Sequence, residues 1–90
     1  MKKERIMFKF HAPEAKSVHI AGSFNDWNMR SDPLSQSKKG RASGTWRGVF
    51  YLEPGVYEYR FIIDGIWHDD PDAIELWTNE FGSFNCVIWV

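Results

Sequence analysis

Ninety residues with a net charge of −1 and an apolar share of 43% supply one core and one domain, spanning 1–90, and are too few for two. This composition excludes a disordered chain. No apolar run approaches the roughly 18–20 residues needed to cross a bilayer, and the single cysteine, Cys86, excludes an internal disulfide.

Lys2 and Lys3 imitate the start of a signal peptide, but Ile6-Met7-Phe8-Lys9-Phe10-His11 is charged and too short for its apolar core, so a cytoplasmic chain is expected. Strand periodicity then dominates. Residues 5–11 alternate with Ile6, Phe8 and Phe10 on one face. Pro13-Glu14-Ala15 bends the chain, and Ser17 to Gly22 forms a second strand with Val18 and Ile20 on its apolar face. Gly22 to Asn28 is a loop of turn formers with Phe24 and Trp27 inserted. A short extended piece follows near Met29–Leu34. Residues 35–45 are rich in Ser, Lys and Gly and read as the longest flexible connection, with Lys38, Lys39 and Arg41 as solvated charges.

Trp46 to Leu52 alternates again, with Trp46, Gly48, Phe50 and Leu52 on one face. Pro54-Gly55 makes a turn. In Val56 to Ile63 the residues Tyr57, Tyr59, Phe61 and Ile63 share one face, and Val56, Glu58, Arg60 and Ile62 the other. Asp64-Gly65 predicts a two-residue hairpin of type I′, which needs positive φ at both central residues. Ile66-Trp67-His68 returns. Residues 69–82 read mostly as loop, with a helical turn admissible over Asp72–Trp77, and 84–90 form the last strand. Gly22, Gly44, Gly55, Gly65 and Gly82 read as turn glycines. About seven short strands without intervening helices predict a β-sandwich.

Little in this pattern suggests catalysis, metal or cofactor. Asp64, Asp69, Asp70, Asp72, Glu75 and Glu80 are plentiful acids, but so short a chain has little material for a glycosidase cleft beside a core. Asp70-x-Asp72 falls short of the six or more oxygens of a calcium loop. His11, His19 and His68 are scattered and form no zinc pattern with Cys86. No glycine-rich loop ends in a lysine, so no nucleotide site is expected. Residues 1–52 hold ten Lys/Arg against four Asp/Glu, and 53–90 hold one against eight. Sandwich strands interleave these halves, so no basic stripe for nucleic acid is legible, and no membrane partner is expected.

The aromatic content, 17% with five tryptophans, is the informative feature, because Trp is seldom fully buried. Trp27 and Trp67 both sit beside turns, outside any evident buried alternation. A flat indole stacks well on the C–H face of a sugar ring, and Asn28, Arg60, Ser83 and Asn85 are of types that bond hydroxyls. The same two tryptophans could instead cap the core at loop ends.

Four stretches carry a resemblance over nearly the whole chain. They are Val18 to Trp27 (VHIAGSFNDW), Leu52 to Trp67 (LEPGVYEYRFIIDGIW), Asp70-Pro71, and Gly82 to Val87 (GSFNCV). Together they resemble carbohydrate-binding module family 48, which includes the glycogen-binding domain of the AMP-activated kinase β subunit and the N-terminal modules of branching and debranching enzymes. The resemblance implies an all-β, immunoglobulin-like sandwich of the early-set type that binds α-1,4-linked glucans without turning them over. It places the stacking tryptophans at Trp27 and Trp67. The basic contact falls on Arg60, where the kinase module has lysine; the apolar wedge falls on Phe81, the hydroxyl on Ser83 and the amide on Asn85. The Pro71–Gly82 loop is one residue longer than in the kinase module, and Trp77 within it has no counterpart, leaving it as a sugar platform, a partner contact or a core plug. Implied partners are an α-glucan polysaccharide and a glycogen- or starch-metabolising enzyme or kinase complex. A docking module with little sugar affinity would instead bury one of Trp27 and Trp67 and expose an apolar patch elsewhere, around Trp77 and Trp89.

Overall fold

A computed structural model describes residues 2–37, 40 and 43–90. Among the described residues the alternation becomes eight strands: β1 (Glu4–His11), β2 (Val18–Gly22), β3 (Ser35–Gln36), β4 (Thr45–Leu52), β5 (Val56–Ile63), β6 (Ile66–His68), β7 (Leu76–Thr78) and β8 (Phe84–Trp89), with a 3-10 turn at Ser23–Asn25. All pairings between these strands are antiparallel. One sheet has the order β1-β4-β3; the other has β2-β5-β8-β7, with β6 also paired to β5. The outcome is a two-sheet, largely helix-free sandwich, in agreement with the immunoglobulin-like fold expected from the sequence.

Strand β5 is the hub. Its residues 59–63 pair with β2 along one edge; along the other, 61–63 pair with β6 and 56–59 with β8. The period of two then assigns its faces. Tyr59 and Phe61 point inward and are buried with Phe8, Leu34 and Trp46 and with Val18, Ile20 and Cys86. Aromatic rings fill the space between the layers: Phe8 meets Tyr59 with centroids 4.9 Å apart, and Phe10 meets Phe61 at 5.0 Å. Glu58 and Arg60 alternate with these residues and so lie on the outer face of the five-stranded sheet.

Three expectations need correction. Residues 76–78 form β7 instead of loop or helical turn, because Leu76, Trp77 and Thr78 take up the free edge of β8 opposite Cys86, Asn85 and Phe84. The extended piece near Met29–Leu34 is no strand of its own: it bridges from Pro33 to His19, exchanges backbone hydrogen bonds with Val18 and Ile20 and buries Leu34, and the strand follows it at Ser35–Gln36. Gly22 is not a turn glycine. Its φ of −167° is ordinary extended backbone, and its reason is close approach: a Cβ would sit 2.5 Å from the Glu58 carbonyl oxygen and 2.6 Å from the Phe24 ring. The Lys38, Lys39 and Arg41 cluster lies outside the described residues. Gly22→Ala should therefore cost about 1–3 kcal/mol by overpacking, read as a lowered thermal midpoint; an unchanged midpoint would mean that β2 and β5 are less tightly apposed than described.

One buried polar contact gives a pH dependence. The Tyr59 hydroxyl donates to Asp70 Oδ2 at 2.6 Å, and burial first, then this carboxylate, push the phenol far above its ordinary range. Folded Tyr59 thus keeps its proton where the unfolded chain loses it near pH 10. A raised pKa contributes stability that is full below the unfolded value and declines as pH climbs past it. Tyr59→Phe should be less stable than the parent at pH 8, having lost the hydrogen bond, and the gap in melting temperature should narrow toward pH 11. A gap that stays constant over that range would contradict this account. Burial likewise raises the Cys86 thiol pKa, in keeping with an inert core residue.

Candidate functional site

Trp27 is presented by a loop that its neighbours hold in several ways. Asn25 Oδ1 accepts from the Gly22 N–H at 2.9 Å, and its Nδ2 donates to the Ile20 carbonyl and to Asp32 Oδ2. Phe24 anchors the loop in the core, stacked on Phe8 at 5.7 Å and 5.0 Å from Phe50. Asp26 and Trp27 themselves adopt left-handed backbone, with φ of 55° and 57°. That conformation is tolerable for Asp and unusual for Trp. It costs of order 1–3 kcal/mol at such a residue and persists only where the surroundings over-determine it.

Trp67 comes from the β5–β6 hairpin. Asp64 and Gly65 have φ of 50° and 84°, the two positive values of a type I′ turn. Asp64 Oδ1 also accepts from the backbone N–H of Lys16 and Ser17 at 2.8 and 2.9 Å, tying the hairpin to the β1–β2 connection. Trp67 stands opposite Ile62, so its ring shares the outer face with Arg60. The two indoles lie 6.5 Å apart at 41°. Trp27 is half-buried and Trp67 is 38% exposed; neither is sealed in the core.

Arg60 Nε lies 3.1 Å from Asp69 Oδ1. The angle falls outside hydrogen-bond geometry, so the buried Nε has no aligned acceptor among the described residues. The contact is an ion pair that orients the guanidinium more than it stabilises the fold, since Asp69 is well exposed.

The third side of the site is the β7–β8 loop, and Asn79 organises it. Asn79 Oδ1 accepts from the Phe81 and Ser83 N–H groups at 3.0 and 3.1 Å, and Nδ2 donates to Asn85 Oδ1 at 3.2 Å. Asn85 Nδ2 in turn donates to Glu58 Oε1 at 3.3 Å. This chain of contacts fixes the Asn85 amide and leaves Phe81 projecting, 85% exposed, at the loop tip.

All of these side chains line one open groove of about 810 Å³: Trp27, Arg60 and Trp67, then Phe81, Ser83 and Asn85, with Glu58, Asn79 and Glu80. Six of the seven residues singled out in the sequence are thus neighbours in space, although they come from four separate segments; Asn28 is not among the groove-lining residues, and its Oδ1 accepts from the Arg30 and Ser31 N–H groups. Sequence reasoning missed Asn79, Glu58 and Glu80 as parts of the groove. Glu58 carried a signal, since it alternates with Arg60 on the outer face of β5. Asn79 carried only the general turn preference of asparagine. Trp77 lies outside the groove lining, though it faces Asn85 across β7 and β8. No group of three or more His, Cys, Asp or Glu among the described residues is placed to hold a metal ion. The groove gathers two inclined indoles, an apolar side chain, a cation, amides and a hydroxyl around a cleft open to solvent.

Comparison with known proteins gives a matching result. Residues 5–90 match the family described as the glycogen recognition site of AMP-activated protein kinase. Over 75 residues, 83% of this chain, the sequence is 32% identical to the 5'-AMP-activated protein kinase subunit beta-1 of Sus scrofa and of Homo sapiens, and 33% identical to subunit beta-2 of Mus musculus. The matched stretch spans 55% of the Sus scrofa sequence and 25% of the other two.

Proposed function

We propose, from the premise that this chain belongs to the family of AMP-activated protein kinase glycogen recognition modules, that its groove binds α-1,4-linked glucans by stacking glucose units on Trp27 and Trp67. Members of this family are non-catalytic binding domains. The observation that carries the reading is the placement of two partly exposed indoles 6.5 Å apart and inclined at 41°, with Arg60, Ser83 and Asn85 on the same groove wall. Inclined platforms suit a ligand that curves, as an α-1,4 chain does, and suit a flat β-1,4 chain poorly. The apolar C–H faces of the sugar stack on the rings. The hydroxyls take the guanidinium and amide donors, and Phe81 supplies an apolar wedge at the rim. The left-handed backbone at Trp27 supports the same reading, because strain of this kind concentrates at binding sites.

The test is isothermal titration with β-cyclodextrin and maltoheptaose, with cellohexaose as control. Saturable heat with both α-glucans, at a Kd between about 1 μM and 1 mM, and none with cellohexaose is the expected result. No heat at millimolar α-glucan would overturn it. A cytoplasmic setting, expected from the sequence, goes with this reading.

A second reading has an observation of its own. Ile74 is fully exposed, and Leu76 and Phe84 are both well exposed, an apolar strip at the β7 edge that suits docking to a protein. A docking role in a kinase or glycogen-enzyme complex would take over if the α-glucan titration gave no heat. The condition that one of Trp27 and Trp67 be buried, which docking alone predicts, is not met.

A further inference from the structure

Beside the groove, on the same outer sheet face, lies a second aromatic assembly. Trp77 and Trp89 stand 6.2 Å apart with their rings at 83°. The Trp77 Nε1–H donates to Glu75 Oε2 and the Trp89 Nε1–H to Glu75 Oε1, each at 2.7 Å. One carboxylate thus holds both indoles. Glu75 is itself fastened to the sheet, since its carbonyl accepts from the Val87 N–H at 3.0 Å. The rings are partly bare, 36% exposed for Trp77 and 65% for Trp89, and neither belongs to the core cluster.

Register connects this assembly to the groove. Trp77 is directly opposite Asn85, a groove-lining residue, and paired residues share a face. Trp89 is four positions beyond Asn85 on β8, so it has the same orientation, about 13 Å farther along the strand. A chain leaving the groove past Asn85 would meet Trp77 first and Trp89 next.

The chemistry selects the occupant. A dry apolar protein surface laid over this patch would bury the Glu75 carboxylate, and its two indole donors would only partly compensate the loss of water. A sugar brings hydroxyl donors for the remaining lone pairs of that carboxylate and C–H faces for the rings. Resting on the proposed glucan-binding role of the groove, we infer that Trp77, Trp89 and Glu75 form a second α-glucan subsite, which takes the part of a long chain extending beyond Asn85.

The experiment compares the short ligands maltotetraose and β-cyclodextrin with long linear maltodextrins, on the parent, Trp89→Ala and Trp67→Ala. Melting curves verify that each variant is folded. Trp89→Ala should leave the two short ligands within about twofold and weaken the long maltodextrins about fivefold, the size of one lost aromatic contact; Trp67→Ala should weaken all three. In parallel, the indole N–H resonances of Trp77 and Trp89 in the unmodified protein should shift with long maltodextrin and stay still with maltotetraose. Equal affinities of Trp89→Ala and parent for the long chains, with unmoved indole resonances, would overturn the subsite and leave the groove intact. A uniform loss across all ligands in Trp89→Ala would overturn it too, by making the assembly a support for the groove. Absence of binding by the parent to every α-glucan would remove the groove reading and the subsite with it.

Discussion

Trp67→Ala should bind β-cyclodextrin and maltoheptaose roughly 30- to 150-fold more weakly than the parent, a loss of about 2–3 kcal/mol. The ring is 38% exposed and forms one of the two inclined walls of the groove. Its removal takes away both the apolar area that a glucose unit would cover and the stacking term. The rest of the groove survives, because the β5–β6 hairpin is held by its own turn and by the Asp64 contacts to Lys16 and Ser17, none of which involves the indole. Folding should accordingly change little, and a melting curve run beside the titration separates loss of binding from loss of structure. Retained affinity in a folded variant would mean that the ligand rests on other residues.

Phe61→Ala should be the most damaging single substitution in the core, with a loss of about 3–5 kcal/mol. Phe61 is fully buried on the one strand that pairs with three others. It meets Phe10 of the opposite sheet at 5.0 Å and Tyr59 of its own at 5.8 Å. Truncation would leave a cavity among rings that cannot collapse independently, since each is fixed by a different strand. A domain of this size has roughly 5–13 kcal/mol of total stability, so the variant should show a much lower denaturant midpoint or be unfolded outright. Phe61→Leu, which refills most of the space, should recover most of the loss. Denaturation curves of the two variants check this, and equal midpoints for Phe61→Ala and the parent would contradict the described packing.

The groove also accounts for how the sequence divides its aromatics. Phe8, Phe24, Tyr59 and Phe61 join the layers, while Trp27, Trp67, Phe81, Trp77 and Trp89 stay at least partly open to solvent. These five rings lie on the outer side of the five-stranded sheet or in the loops at its margin, whereas Tyr51, also well exposed, belongs to the three-stranded sheet. The three-stranded sheet is built differently, with Trp46 buried and its Nε1–H donating to the Ala12 carbonyl at 2.9 Å.

Much of the architecture was legible in the chain. The alternation of β1, β4 and β5 named their inward faces, and Asp64-Gly65 named its hairpin, because side-chain period and turn φ are properties of a few consecutive residues. Trp27, Trp67, Arg60, Ser83 and Asn85 were candidates by residue type and setting, and the motif resemblance added Phe81 and grouped all six, because it transfers a spatial arrangement that the separate segments do not spell out. What only the tertiary structure decided has a common cause. Strand β7 carries no alternation, since all three of its residues are exposed at an edge; it exists because β8 offers an unpaired partner. Gly22 is required by the approach of β5, a distant segment. Asn79 and Glu58 enter the groove, and Glu75 joins Trp77 to Trp89, through the register of β7 on β8 and of β8 on β5. A local sequence specifies which way each side chain points along its own strand, whereas the partner it finds depends on pairing between remote segments, and a shift of one residue would exchange every face.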